Sequence, residues 1–212
     1  MSNAPTLIYL VRHGATDANE QRPYVLQGAS MDHSLSETGK QQANYVGMFL
    51  SKFDIDVIYA SPMKRAVETA QAIASHHSLE VQTREKLVEV DVGKWEGMNW
   101  DDIMSQYPSE YKNFMSDPST YSYYEGETYG DVLVRTQPVI EELLEKHVGK
   151  SIVVVAHNVV NRVIVANQLG LPLSKAKDIK QANACLNVIK RQAGETALVT
   201  MNANFHLPQE MR

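Results

Sequence analysis

The chain has 212 residues, 43% of them hydrophobic and 21% charged, a balance that suits one large globular domain with a buried core. Its formal net charge is −5 without a long basic run, which argues against nucleic acid or an anionic membrane as partner, so an anionic ligand must be met by individually placed arginines. A single cysteine, Cys185, excludes an internal disulfide and a cysteine-based zinc site and fits a reducing, cytoplasmic compartment. The apolar runs 152–156 and 163–166 are far shorter than the roughly twenty residues that span a bilayer. The opening "MSNAPT" lacks the charged start and apolar stretch of a secretion signal.

In chain order, residues 7–11 form a short, β-branched-rich run that reads as a strand buried on both faces and ends directly on Arg12, His13 and Gly14, with Thr16 and Asn19 beyond. Helical periodicity follows over 38–50. A second strand at 57–60 leads into "SPMKRA", where Ser61 is expected as N-cap, Pro62 as first helical residue and Arg65 in the opening turn of a helix over 64–75. A third strand at 80–83 precedes "KLVEVDVGKWEG", an irregular segment that offers Glu89, Asp91 and Glu96.

Residues 93–127 are rich in Trp, Tyr, Asp and Ser and are interrupted by Pro108 and Pro118, the pattern of an excursion from the core. The tyrosines of "TYSYYEGETYG" suit either core packing or the wall of a pocket. A helix over 131–146 comes next, then a strand at 152–156 that ends on His157 and Asn158. The helix at 159–169 carries Arg162 and is closed by Gly170 and Pro172. Strands at 186–190 and 197–201 complete the pattern, and the residues after Met201 read as a tail. Alternating strands and helices predict a layered α/β sandwich with a mainly parallel sheet.

In such a sheet, ligands bind beyond the carboxyl ends of the strands, where loops enter helices whose first amides can face an anion. Arg12, His13, Arg65, Glu89, His157 and Arg162 all leave at strand ends or just beyond them, the inventory of a phosphoryl-transfer site. Guanidinium forks grip phosphate oxygens and stay cationic, and a neutral imidazole is a competent nucleophile. A carboxylic acid beside a dianionic phosphate keeps its proton more readily, because like charge opposes ionisation, and can hand that proton to a leaving alcohol.

Each signal has a plainer reading. "RHG" alone could be a structural strand end, Arg65 a solvated helix residue and His157 a core histidine. It is their convergence at one sheet edge, under one charge logic, that favours function. Asp91 and Glu96 can be read as turn residues around Gly93 and Gly97, which singles out Glu89 among the carboxylates. His76 and His77 are adjacent on a helix and cannot share a face, and His33, His147 and His206 have no ligand spacing around them, so no metal site is expected.

The segments "LVRHGATDAN", "LQGASMDHSLSETGKQQA", "YASPMKRAVETA", "LVEVDVGKWEGMNWDDI", "YEGETYGDVLVR" and "IVVVAHNVVNR", which cover most of the chain up to Arg162, together resemble the histidine phosphatase superfamily, also called phosphoglycerate-mutase-like. The resemblance implies a three-layer α/β/α sandwich, one domain over 1–212, and a lid-like excursion at about 93–127. It implies that His13 accepts the phosphoryl group, that Arg12, Arg65 and His157 hold it, and that Glu89 is the proton donor. Asn19 and Gln27 match positions that add hydrogen bonds around the phosphate, and Asn158 stands where the family commonly has glycine.

The direct run from Glu89 into "GKWEG" looks like the phosphatase branch, which implies hydrolysis of a small phosphomonoester such as a sugar phosphate through a phosphohistidine, with neither metal nor cofactor. The expected partner is then a phosphorylated small molecule, not nucleic acid or membrane, and a homodimer is left open. A phosphoglycerate-mutase-type phosphotransferase is the nearer alternative. A catalytically silent module that binds a phosphorylated ligand is the other.

Overall fold

The computed structural model describes residues 4–212. Residues 1–3, where the expected domain and the segment read as lacking a secretion signal both begin, lie outside them. The chain runs β1 (Thr6–Arg12), α1 (Asp17–Glu20), α2 (Glu37–Leu50), β2 (Val57–Ala60), α3 (Lys64–Ala74), β3 (Val81–Thr83), α4 (Trp100–Gln106) and α5 (Pro108–Ser116). It continues through α6 (Tyr129–Lys146), β4 (Ser151–Ala156), α7 (Asn158–Gln168), β5 (Leu186–Gln192) and β6 (Glu195–Ala203), with short 3₁₀ segments between elements.

The continuous apolar runs of β1 and β4 follow from burial on both faces. Ile8, Leu10, Ile152 and Val154 enter one core with α6 and α7, whereas Tyr9, Val11, Val153 and Val155 enter a second core with α2 and α3. The result is the predicted three-layer sandwich. Its six-stranded sheet has the order β3-β2-β4-β1-β5-β6, with β1, β2, β3 and β4 parallel and β5 antiparallel to both of its neighbours, β1 and β6.

Two registers position the site. In the β1–β4 ladder Arg12 lies opposite Ala156, so the next residues, His13 and His157, emerge side by side. In the antiparallel β1–β5 pair Val11 lies opposite Leu186, so the segment that enters β5 crosses the same sheet edge from the other direction.

The helix start at α3 differs from the expectation. The N-cap position falls on Met63, whose backbone is extended, and Ser61 Oγ only accepts a long bond from the Met63 amide (3.4 Å). The first amide of α3, on Lys64, is instead capped by Asp32 Oδ1 at 2.7 Å, a tertiary cap that local spacing does not reveal. The residues after Met201 are not a loose tail: Leu207 is buried in the second core, and Gln42 donates to the Met211 carbonyl.

The excursion is ordered by aromatic packing. Pro108 opens α5 at its first turn, where a missing amide costs nothing, and Pro118 follows its end. Trp95 is fully buried and meets Trp100, Phe114 and Tyr123 edge-on, which ties the excursion to the core that holds α6. Among the described residues no helix is long and apolar enough to cross a membrane.

Candidate active site

β1 ends by aiming His13 into a cavity of about 740 Å³ whose wall also includes Arg12, Asn19, Gln27, Glu89 and Asn158. The His13 ring lies 5.2 Å, centroid to centroid, from that of His157. His13 Nδ1 lies 2.6 Å from the Gly14 carbonyl, an acceptor, so Nδ1 carries the proton and the neutral ring keeps its lone pair on Nε2. That is the atom a nucleophile needs free.

The loop carrying His13 is clamped from below. The Gly14 amide donates to Thr69 Oγ1 of α3 (3.0 Å) and the Ala15 amide to Gln42 Oε1 of α2 (2.9 Å). These two amides are therefore committed to the scaffold and do not serve an anion. A Cβ on Gly14 would come within 2.4 Å of the Gly39 carbonyl, so only glycine permits this approach of loop and helix.

Arg12 and Arg65 bring two guanidiniums to the buried floor. Arg12 Nη1 donates to the Gln181 carbonyl (2.6 Å), while Arg65 Nη1 and Nη2 donate to the carbonyls of Met31 (2.8 Å) and Gly28 (3.2 Å). Arg12 Nε, Arg65 Nε and both ring nitrogens of His157 are buried without a hydrogen-bond partner in the protein. Arg65 and His157 are fully buried and are not among the residues that line the cavity, yet Arg65 acts electrostatically on both histidines.

Burial first, then Arg65 and Arg12, push His13 well below the ordinary histidine value of 6.5. His157 is displaced the same way, first by burial and then by Arg65, His13 and Arg12. Both rings are thus neutral at neutral pH. Because the unfolded chain binds these protons more readily than the folded one, their contribution to stability is complete above about pH 6.5 and is lost as pH falls below it. The limiting slope is about 1.4 kcal/mol per pH unit for each histidine. Melting temperature in a phosphate-free buffer should fall between pH 7.5 and 5.5, and more shallowly for His13→Gln; an equal fall in both proteins would assign the effect to other groups.

Glu89 is buried at the cavity wall. Its Oε1 accepts the Val90 amide at 2.9 Å and its Oε2 accepts the Val159 amide, in the first turn of α7, at 3.2 Å. Asn19 and Gln27 converge on Thr16: Asn19 Oδ1 accepts its amide (3.2 Å) and Gln27 Oε1 its hydroxyl (2.8 Å). Asn158 occupies the first position of α7, and its Oδ1 is buried without a protein partner. All eight site residues expected from the sequence therefore gather at one sheet edge.

Two other members of the site carried no signal in the sequence. Gln181 and Asn183 arrive with the segment before β5. Asn183 donates to the carbonyl of His13 (3.2 Å) and to Asn19 (3.1 Å), bonds that depend on the antiparallel register. Glu96, read as a turn residue, accepts the amides of Gly28 (2.5 Å) and Ser30 (3.3 Å), holding the loop whose carbonyls receive Arg65. Of the tyrosines left open by the sequence, Tyr123 and Tyr129 line the cavity with Trp100 and Phe114. Among the described residues no cluster of three His, Cys, Asp or Glu side chains is placed to hold a metal ion.

The family model described as "Histidine phosphatase superfamily (branch 1)" matches residues 8–204. Phosphoserine phosphatase 1 of Hydrogenobacter thermophilus is 34% identical over 200 residues, which span 94% of this chain and 93% of that protein. Among solved structures, a phosphoserine phosphatase mutant of Entamoeba histolytica in complex with phosphoserine matches with a TM-score of 0.86 at 27% identity, covering 96% of this chain and 100% of that one. A mycobacterial glucosyl-3-phosphoglycerate phosphatase matches with a TM-score of 0.85 at 26% identity, covering 94% and 100%.

Proposed function

The chain belongs to the histidine phosphatase superfamily, branch 1, and is a phosphatase of small phosphorylated molecules; from that premise we propose a two-step, metal-independent hydrolysis through phospho-His13. The observation that carries this reading is the fixed tautomer of His13, which lines the cavity with Nε2 left free, near two buried guanidiniums and the buried carboxylate of Glu89.

In the first step His13 Nε2 forms a bond to phosphorus as the bond from phosphorus to the alcohol oxygen breaks, and Glu89 gives that oxygen its proton. Arg12 and Arg65 neutralise the charge spread over the transferring group, and His157 donates to one of its oxygens. In the second step Glu89 takes a proton from water, whose oxygen attacks phosphorus, and the bond to His13 breaks to release phosphate. Asn19, Gln27 and Asn158 shape the pocket around the phosphate. Residues 93–127 are a lid-like excursion from a single domain over 1–212. We take the enzyme to be cytoplasmic, where a lone thiol such as Cys185 stays reduced, and to allow a homodimer.

The leaving alcohol carries a second acidic group. Arg162 lines the cavity from α7, one turn beyond Asn158; its guanidinium is hydrogen-bonded to Tyr129, its Nε is buried without a protein partner, and it has no carboxylate partner among the described ion pairs. Its counter-charge therefore comes with the substrate, as the carboxylate of phosphoserine would supply. Across a panel of phosphoserine, phosphoglycerates, neutral sugar phosphates and p-nitrophenyl phosphate, the acidic esters should show the highest kcat/KM. Arg162→Gln should lower kcat/KM for them by about 10- to 100-fold, the worth of a charged hydrogen bond, and leave p-nitrophenyl phosphate nearly unchanged. A wild-type preference for neutral sugar phosphates would refute the acidic group. Loss of turnover with a chelator would refute the metal-independent route.

A further inference from the structure

The segment "YEGETYGDVLVR" places Tyr129 on the cavity wall, and two other residues of it make a dense set of bonds to the chain around Glu89. Glu89 lies between the 3₁₀ segments Glu85–Leu87 and Gly93–Trp95, outside every strand and helix, so no ladder holds its backbone in place. Arg135, in the second turn of α6, supplies what is missing. Its Nη1 donates to the carbonyls of Lys86 (2.7 Å) and Val88 (2.8 Å), and its Nη2 donates to the carbonyl of Glu89 itself (3.1 Å).

The remaining donors go to Glu127: Nε to Oε1 at 2.8 Å and Nη2 to Oε2 at 3.0 Å. All five N–H groups of the guanidinium are thus used. Glu127 completes the hold from the far side, accepting the Asp91 amide on Oε2 (2.9 Å) and donating its own amide to the Asp91 carbonyl (2.9 Å). Residues 86–91 are pinned on both sides of Glu89 by two side chains that do not line the cavity.

We propose that Arg135, paired with Glu127, is the positioning residue that sets where the Glu89 carboxyl meets the leaving oxygen. The proposal rests on the reading of Glu89 as proton donor. A Lys at 135 keeps the charge but offers three donors from one atom, and it cannot reach three carbonyls and a carboxylate in a planar fork. The carboxyl then drifts by a fraction of an ångström relative to the alcohol oxygen, which matters only when that oxygen needs a proton.

The test is therefore a comparison of leaving groups. In rapid-quench single turnovers, Arg135→Lys should slow phosphoryl transfer from phosphoserine by about 10- to 100-fold and change the burst of p-nitrophenolate from p-nitrophenyl phosphate by less than about threefold, because nitrophenolate departs without a proton. Equal slowing of both substrates, or of neither, overturns the proposal, since a merely structural residue acts on both alike. Should Arg135→Lys fail to fold by circular dichroism, Glu127→Gln is read by the same two rates and the same criterion. Glu89→Gln is run beside them. If it discriminates between leaving groups and the Arg135 and Glu127 variants do not, the positioning role alone falls; if Glu89→Gln does not discriminate, the proton-donor reading falls and takes the proposal with it.

Discussion

His13→Ala is expected to lower kcat on any phosphomonoester by about 10⁴-fold or more, the scale seen when a covalent nucleophile is removed from an otherwise intact site. The arginines and His157 would still bind phosphate, so the variant should retain phosphate-dependent thermal stabilisation while losing turnover. Rapid quench with labelled substrate should trap acid-labile, base-stable phosphate on the wild-type chain and none on the variant. Retained label or turnover in His13→Ala would end the phosphohistidine proposal. The expectation rests on one geometric fact: with Nδ1 bonded to the Gly14 carbonyl, His13 presents only Nε2, and no other imidazole of the described residues lines the cavity.

Glu89→Gln is expected to cost about 10²- to 10⁴-fold in kcat for alkyl phosphates, the usual worth of a positioned general acid or base. Glutamine keeps the side chain's size and can still accept the Val90 or Val159 amide through its remaining oxygen, so the site should stay assembled. The loss should shrink for aryl phosphates in the first step and persist in the second, where the same group takes a proton from water. A burst of p-nitrophenolate followed by slow turnover is the signature. A variant with wild-type rates on phosphoserine would move the proton donor elsewhere.

What the sequence made legible was whatever depends on short-range order. A short apolar, β-branched-rich run bounded by polar residues suits an inner strand, so the ends of β1 and β4, and with them His13 and His157, could be located from the local pattern. Arg65 was legible because it falls in the first turn of a helix that follows a strand. The cap of that helix was not, because Asp32 lies 32 residues away and reaches Lys64 only across the folded loop. Gln181 and Asn183 were hidden for the same reason: an antiparallel register brings them to His13 and Arg12, and no local pattern encodes it. Glu96 looked like a turn residue because the amides it accepts belong to Gly28 and Ser30, far away in sequence. The excursion was legible as irregular, while its order, set by Trp95 against three other aromatic rings, is a matter of packing.

The pairing of Arg12 with Ala156 has a consequence for how such an enzyme can change. The separation of His13 and His157 is set by backbone hydrogen bonds between two inner strands, so it is indifferent to the identity of almost every side chain around it. The cavity wall draws instead on α5, α6 and α7, through Phe114, Tyr129 and Arg162. Substitutions there leave the spacing of the two histidines untouched, whereas a one-residue insertion in β1 or β4 would offset one histidine from the other. Glu89 belongs to both sets, since its carboxylate accepts the Val159 amide of α7 and its carbonyl accepts from Arg135 of α6, so a change in the wall reaches Glu89 before it reaches the histidines.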